Sequence, residues 1–263
     1  MCIFVWFLNG DPVIWGVFKG VTNDLLRENE ANASLGVIII VEKDNVMGVI
    51  TDSLGAIEAK KTILTTGTFL NGILYTGDEK KSGGRVGDKP SIPLSQKLYD
   101  LKLPMGRLKT GTPARIKLTS LDLESMDEQP GEEPTPWMSK KGKNNKHIKQ
   151  ISCYITRTNP ETHKEISDNI KKSAMYSGNI VGIGPRYCPS IEDKIHKFPL
   201  KESHQIFIEP EGIDVDLVYP NGISTSLPEE NQKRFIQTIK GMEGAEITAV
   251  SYTHLTLPTS DLV

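Results

Sequence analysis

The sequence predicts an α/β fold, and three observations predict it. Residues 37–64 read as strands separated by polar turns, and helical patterns recur further on. The helical stretches are Pro90–Leu101, Pro160 to Lys172, and "PEENQKRFIQTIKGM". A composition of 37% hydrophobic and 24% charged residues over 263 positions is that of a globular chain with one large core or two smaller ones.

Within "VIIIVEKDNVMGVITDSLGAIEAKKTILTTGTFL", Val37–Val41 reads as a strand and Val46–Thr51 as its return, joined by Lys43, Asp44 and Asn45. A second turn, Asp52–Gly55, precedes Ala56–Lys60. Thr62–Leu64 is expected as a buried strand that stops at Thr65, Thr66, Gly67 and Thr68. A small-residue turn there lets backbone approach a nucleotide at the carboxyl end of a strand. The same turn also suits a purely structural role.

Next comes "EKKSGGRVGDKPSIPLSQKLYDLKL", a glycine-containing polar loop with Arg85, then a helix begun by Pro90 and Ser91. Free N–H groups at a helix start attract anions, so the pair reads as a phosphate or substrate loop or as an ordinary capped helix. Arg107, Lys109 and Arg115 surround another Gly-Thr turn in "GRLKTGTPARIKL". Composition then shifts in "EQPGEEPTPWMSKKGKNNKHIKQ", which reads as a long exposed connection. Its Lys140, Lys141, Lys143, Lys146 and Lys149 suit RNA phosphates or a solvated face.

Asn159 is placed to cap the helix from Pro160, after a strand alternating through Tyr154, Thr156 and Thr158. "HQIFIEPEG" and "ISTSLP" read as further strand-and-turn elements. The last helix should turn Phe235, Ile236 and Ile239 inward. The apolar start, "MCIFVWFLNGDPVIWGVF", has no basic leader and is interrupted at Asn9–Pro12, so it reads as a buried strand pair or a poorly formed end rather than a span.

Net charge is −2, from 31 basic and 33 acidic residues, so any nucleic-acid contact needs a local basic patch. Three widely spaced cysteines, Cys2, Cys153 and Cys188, argue against a disulfide scaffold and for a reducing compartment, the cytoplasm. Cysteines and histidines lack paired metal-ligand spacing, so no metal is expected, and His147, His163 and His204 read as structural or solvent-facing.

Cys188 stands apart in "GIGPRYCPSIEDKIHKF", a run too broken by Gly and Pro for a simple helix or strand. Arg186 lies two residues before it and Lys194 six after. Nearby cations stabilise a thiolate, the nucleophile suited to an electron-poor carbon such as that of a pyrimidine ring. A buried, inert cysteine is the other reading of these residues.

"TTGTFLNG", "SGGRVGDKPS", "RLKTGTPARI", "SHQIFIEPEG", "YPNGISTSLP" and above all "GPRYCPSIEDKI" together resemble one family. It is the FAD-dependent tRNA uridine 5-carboxymethylaminomethyl modification enzyme, or glucose-inhibited division protein A, and the likeness runs from about residue 36 to 247 in the family's order. The resemblance implies a flavoprotein that adds a one-carbon unit from methylenetetrahydrofolate, with glycine or ammonium, to C5 of the tRNA wobble uridine. It implies reduction of the flavin by NADH, a homodimer, and a heterotetramer with a partner GTPase. No membrane is involved.

The resemblance further implies part of a Rossmann-like FAD-binding domain over 36–112 and an inserted α+β domain for NAD and substrate over 113–247. Thr66, Gly67 and Ser91 fall on the flavin side. The stretch assigned to NAD covers Gly184, Pro185, Arg186, Tyr187, Cys188, Pro189, Ser190, Ile191, Glu192, Asp193, Lys194 and Phe198. Cys188 matches one of two catalytic cysteines, with Arg186, Tyr187 and Lys194 as its motif neighbours. Arg85, Arg107, Lys109 and Arg115 are expected on a basic face for tRNA.

Departures are equally specific. The glycine-rich G-x-G-x-x-G turn that holds the flavin pyrophosphate does not occur in this sequence, and Cys2 cannot replace the second catalytic cysteine. Gly36 stands where the family has Val, and Ala114 where a second Pro is common. Residues 1–35 and 248–263 match nothing in the pattern, and are expected to be foreign ends on an internal fragment that is inactive alone. Two rival readings remain: a folate-dependent tRNA methyltransferase, which "PRYCPSIEDK" argues against, and a non-catalytic tRNA- or partner-binding module.

Overall fold

A computed structural model describes residues 3–8, 11–16, 37–52, 54–64, 70–84, 87, 89–137, 149–180 and 189–256, the first two stretches by backbone alone. The first strands in chain order are β1 (Ile3–Leu8), β2 (Asp11–Gly16), β3 (Ile38–Glu42), β4 (Asn45–Thr51), β5 (Gly55–Glu58) and β6 (Lys61–Ile63). They are followed by β7 (Ile73–Thr76), β8 (Glu79–Ser82), helix α1 (Ile92–Asp100), β9 (Leu108–Thr112), β10 (Arg115–Ile116) and β11 (Asp127–Gln129). The chain continues with β12 (Cys153–Arg157), α2 (Pro160–Asp168), α3 (Ile191–Lys197) and β13 (Gln205–Pro210). It ends with β14 (Val218–Asn221), α4 (Glu229–Ile236), β15 (Ile247–Ala249) and β16 (Tyr252–Thr256).

Two compact units result. The first holds residues 1–74, 80–109 and 254–263, and the second holds 75–79 and 110–253. In the first unit β3, β4 and β5 form an antiparallel meander. Lys43 and Asp44 carry it round at φ 47° and 66°, the paired left-handed turn whose twist matches that of the flanking strands. Val37, Ile39 and Val49 bury one face of the meander against Leu94 and Leu98, four residues apart on α1. β1 and β2 form a hairpin, and β6 pairs with β2 in parallel.

The strand at Thr62–Leu64 is not the buried one its sequence suggests. β6 is three residues long, with Ile63 and Leu64 both exposed. Among the described residues its only strand partner is β2, so it stands at the edge of that sheet rather than in a centre.

The second unit is built on a six-stranded sheet in the order β11–β12–β13–β14–β10–β15, antiparallel throughout. Ile206 and Ile208 alternate inward from β13 and are fully buried. They share a core with Ile116, Ile166 of α2, Ile191 and Ile195 of α3, and Phe235 and Ile236 of α4. Strands with helices covering one face of an antiparallel sheet make this unit α+β. A further four-stranded sheet runs β8–β7–β16–β9.

The helix expected from Pro160 to Lys172 stops at Asp168, and a single tighter turn covers Ile170–Lys172. Its start is capped as expected: Asn159 Oδ1 accepts from Thr162 N at 2.9 Å, and Asn159 N donates to Thr162 Oγ1. "ISTSLP" lies outside every strand. No helix among the described residues is long and apolar enough to cross a membrane.

Candidate functional site

The sequence motif richest in chemistry ends in regular structure after all. The run around Cys188 reads in sequence as neither a simple helix nor a strand, yet Ile191–Lys197 is α3. Ser190 Oγ accepts from Asp193 N at 3.2 Å, and Ser190 N donates to Asp193 Oδ2 at 3.3 Å. This reciprocal box relieves the orphan N–H groups at the helix start. The signal was in the sequence as Ser-x-x-Asp before an apolar residue.

A second motif wraps that helix start. Ile191 N donates to Ser224 O at 2.8 Å, and Lys194 Nζ donates to Gly222 O at 2.8 Å. Gly222 sits at φ 114°, and a Cβ there would come within 2.9 Å of Gln205 O, so a side chain would push the loop away from Lys194. The "YPNGISTSLP" and "PSIEDKI" motifs are therefore one local structure.

Glu192 lies at its centre, fully buried. Its Oε1 accepts from Ser173 Oγ at 2.9 Å, Thr225 Oγ1 at 2.7 Å and Ser226 N at 3.1 Å. Oε2 has no hydrogen-bond partner among the described residues. A buried carboxylate is stabilised chiefly by such donors. Next to it, Tyr176 OH donates to Asp193 Oδ1 at 3.1 Å; burial, then the Asp193 charge, push the phenol well above its ordinary range. Sequence reasoning named Glu192 only as one of a stretch and missed its role as the hub, because its partners are far away along the chain.

A buried polar web continues from there. The Ser251 hydroxyl lies 2.7 Å from Thr112 O and 2.8 Å from both Thr225 O and Thr225 N. Gln232 Oε1 accepts from Ser251 N at 2.7 Å.

Ser91 occupies the N-cap of α1 in the first unit but does not cap it. The side chain is buried and its Oγ is without a hydrogen-bond partner among the described residues. An unsatisfied buried hydroxyl at a helix start asks for a donor or acceptor that the described residues do not supply. As a test of flavin binding, this residue fits: it offers one orphaned polar anchor. Thr66, Gly67, Arg85, Gly184, Pro185, Arg186, Tyr187 and Cys188 lie outside the described residues.

Of the expected tRNA cations, Arg107, Lys109 and Arg115 lie among the described residues. Arg107 Nη2 donates to Asn71 O and Leu255 O, both at 3.2 Å, and Lys109 is buried. Arg115 Nη1 donates to Thr112 Oγ1 and Pro113 O, its Nε pairs with Glu211, and its guanidinium lies 4.4 Å over the Tyr219 ring. Of the NAD-side residues, Phe198 is 58% exposed at the end of α3. Cys153 is partly buried, and burial together with the Glu209 charge raises its thiol, the reverse of activation.

His163 and His204 come together with ring centroids 5.3 Å apart, which no spacing in the sequence announces. Thr158 Oγ1 accepts from His204 N at 2.7 Å and sits 2.7 Å from His163 Nε2. Burial first, then the charges of His163, Lys194 and Lys201, lower His204 to about 4. The unfolded imidazole titrates near 6.5, so between about 6.5 and 4 the unfolded chain binds the extra proton. The second unit should lose stability as pH falls through that window, on the order of 2 kcal/mol from this group, and hold it fully above. Urea unfolding at pH 7 and at pH 4.5 measures the loss, and His204→Asn should shrink it. An undiminished loss in the variant would exclude His204 as its source.

The described residues thus give an α/β frame with a capped helix and a buried carboxylate hub in the second unit and a buried hydroxyl at a helix start in the first. The comparisons agree on its relatives. Residues 28–256 match the family described as Glucose inhibited division protein A. Aquifex aeolicus GidA in its form I crystal is 43% identical, with a TM-score of 0.75 over 85% of this chain and 38% of that one. In the form II crystal it is 39% identical, with a TM-score of 0.75 over 89% and 38%. The chain belongs to the glucose inhibited division protein A family, and it spans 38% of the length of these relatives.

Proposed function

We propose that this chain supplies part of an FAD-dependent enzyme that modifies C5 of the tRNA wobble uridine. In this reading the one-carbon donor is methylenetetrahydrofolate, glycine or ammonium supplies the amine, NADH is the reductant, and the work is done in the cytoplasm with a partner GTPase. Family membership over residues 28–256 carries the reading. Ser91, with its buried, unpartnered Oγ, is the flavin-side anchor, and Thr66 and Gly67 join it.

When bound, FAD supplies two-electron redox chemistry for the one-carbon unit. The chain's own residues hold and orient. The Ser190–Asp193 box and the Ile191–Ser224 bond set where the backbone leaves Pro189. Cys188 stands next to Pro189 in the chain and is the candidate nucleophile or acid at the uracil ring, with Arg186, two residues before it in the sequence, as the cation that would favour its thiolate.

Flavin content tests the reading. The 263-residue chain should retain little FAD, because the glycine-rich pyrophosphate turn does not occur in its sequence. A chimaera carrying residues 36–247 in place of the matching segment of Aquifex aeolicus GidA should bind it stoichiometrically. Ser91→Ala in that chimaera should weaken FAD binding about tenfold, one lost hydrogen bond to a ligand. Absorbance at the flavin band after desalting reads all three. A flavin-free chimaera would defeat the reading.

A further inference from the structure

In the first unit the β3–β4–β5 meander lies on α1, and both outer sides of this pair are apolar. Inward, Val37, Ile39 and Val49 meet Leu94 and Leu98. Outward, Ile38, Ile50 and Ala56 stand in register across the three strands, all of them exposed, and Leu54 after β4 is 73% exposed. An antiparallel sheet with one face in water carries polar residues on that face, and this row carries none. On α1, Ile92 and Tyr99 lie seven residues apart and so on one side of the helix, turned from Leu94 and Leu98 and exposed.

Among the described residues, eleven of seventeen exposed large apolar side chains fall in this unit, although the second unit is the larger. Single apolar residues on a surface are ordinary, but a register-aligned group of them marks an interaction surface. Area decides between occupants. Three strands about 4.8 Å apart and of this length present roughly 250 Å². That is far below the about 800 Å² per partner of a stable interface between folded copies, so a second copy on the row alone is too weakly held. A longer segment that covers both sides of the pair has no such limit. The relatives have the length, since more than half of the Aquifex aeolicus GidA chain lies outside the stretch matched here.

We propose that the Ile38–Ile50–Ala56 row and the Ile92–Tyr99 side of α1 are the docking surface for the part of a glucose inhibited division protein A chain outside the matched stretch. That part lays an apolar-faced layer on each side of the pair, as in layered α/β domains. The occupant follows from family membership and not from the proposed reaction.

Ile50→Cys and Tyr99→Cys are made in the 263-residue chain and in the chimaera with Aquifex aeolicus GidA, with Ile213→Cys of the second unit as the control. All three replaced side chains are exposed, so the changes should leave the fold intact, which circular dichroism checks. N-ethylmaleimide labelling is read by peptide mass spectrometry, which separates each new thiol from Cys2, Cys153 and Cys188. Both first-unit thiols should react freely in the 263-residue chain. In the chimaera they should react about tenfold or more slowly, because the covering layer must open locally to admit the reagent. The thiol at position 213 should react alike in both proteins. Equal rates for the first-unit thiols in the two proteins, or equal protection at position 213, overturn the proposal. Protection in the free 263-residue chain that grows with protein concentration assigns the surface to a second copy and overturns it too. None of these readouts needs flavin or tRNA. A flavin-free chimaera that still shields both thiols would defeat the proposed reaction and leave the docking surface standing.

Discussion

Cys188→Ser in the chimaera with Aquifex aeolicus GidA should lower tRNA modification by on the order of 10³-fold or more, leaving flavin content and fold intact. The exchange of sulfur for oxygen is nearly isosteric, but a serine hydroxyl is a far weaker nucleophile than a thiolate at neutral pH. In the sequence Arg186 lies two residues before Cys188, and a cation so near would favour the thiolate. Downstream, Ser190 and Asp193 tie the chain to α3 through bonds that do not involve the thiol. The variant should therefore keep its far-ultraviolet circular dichroism and its melting temperature. Nucleoside mass spectrometry of the treated tRNA reads the loss. Full turnover in the serine variant would make Cys188 a structural residue.

Phe235→Ala should destabilise the second unit by about 3–5 kcal/mol, the usual cost of emptying an aromatic site in a packed core. Phe235 is 1% exposed on α4 and shares a cluster with Ile206, Ile208, Ile236 and Ile239. Domains of this kind have only about 5–15 kcal/mol in total, so one such cavity removes a large share. Urea unfolding followed by far-ultraviolet circular dichroism should show an earlier transition with little change in slope. Phe198→Ala, at an exposed ring, should stay within about 0.5 kcal/mol of the parent chain. Equal effects from the two substitutions would contradict the inward face assigned to α4.

What the sequence made legible follows from physical range. The meander of β3, β4 and β5 was readable because strand alternation and turn residues are neighbours in the chain. The Asn159 cap and the inward face of Phe235, Ile236 and Ile239 are local for the same reason. The run Thr62–Leu64 reads as buried but is not, since burial depends on what lies on each side of a strand and a run of three residues does not encode that. The family motifs were legible as words, but not as a structure. Only the fold reveals that Glu192 is bound by Ser173, Thr225 and Ser226, or that His163 and His204 share Thr158. Arg107 and Arg115 looked like surface cations because charge in a sequence carries no information about backbone carbonyls and rings near it in space.

The most direct test of the central claim uses the wild-type arm of the Cys188 experiment. The flavin-loaded chimaera is incubated with tRNA lacking the wobble modification, NADH, glycine or ammonium, and methylenetetrahydrofolate carrying an isotopic label in its one-carbon unit. Mass spectrometry of the digested tRNA should then find the label in a uridine heavier by the added group, and the Cys188→Ser protein should leave that uridine unchanged. Stoichiometric flavin in the protein, with every uridine of the tRNA unlabelled, would contradict the assignment of residues 36–247 to this chemistry.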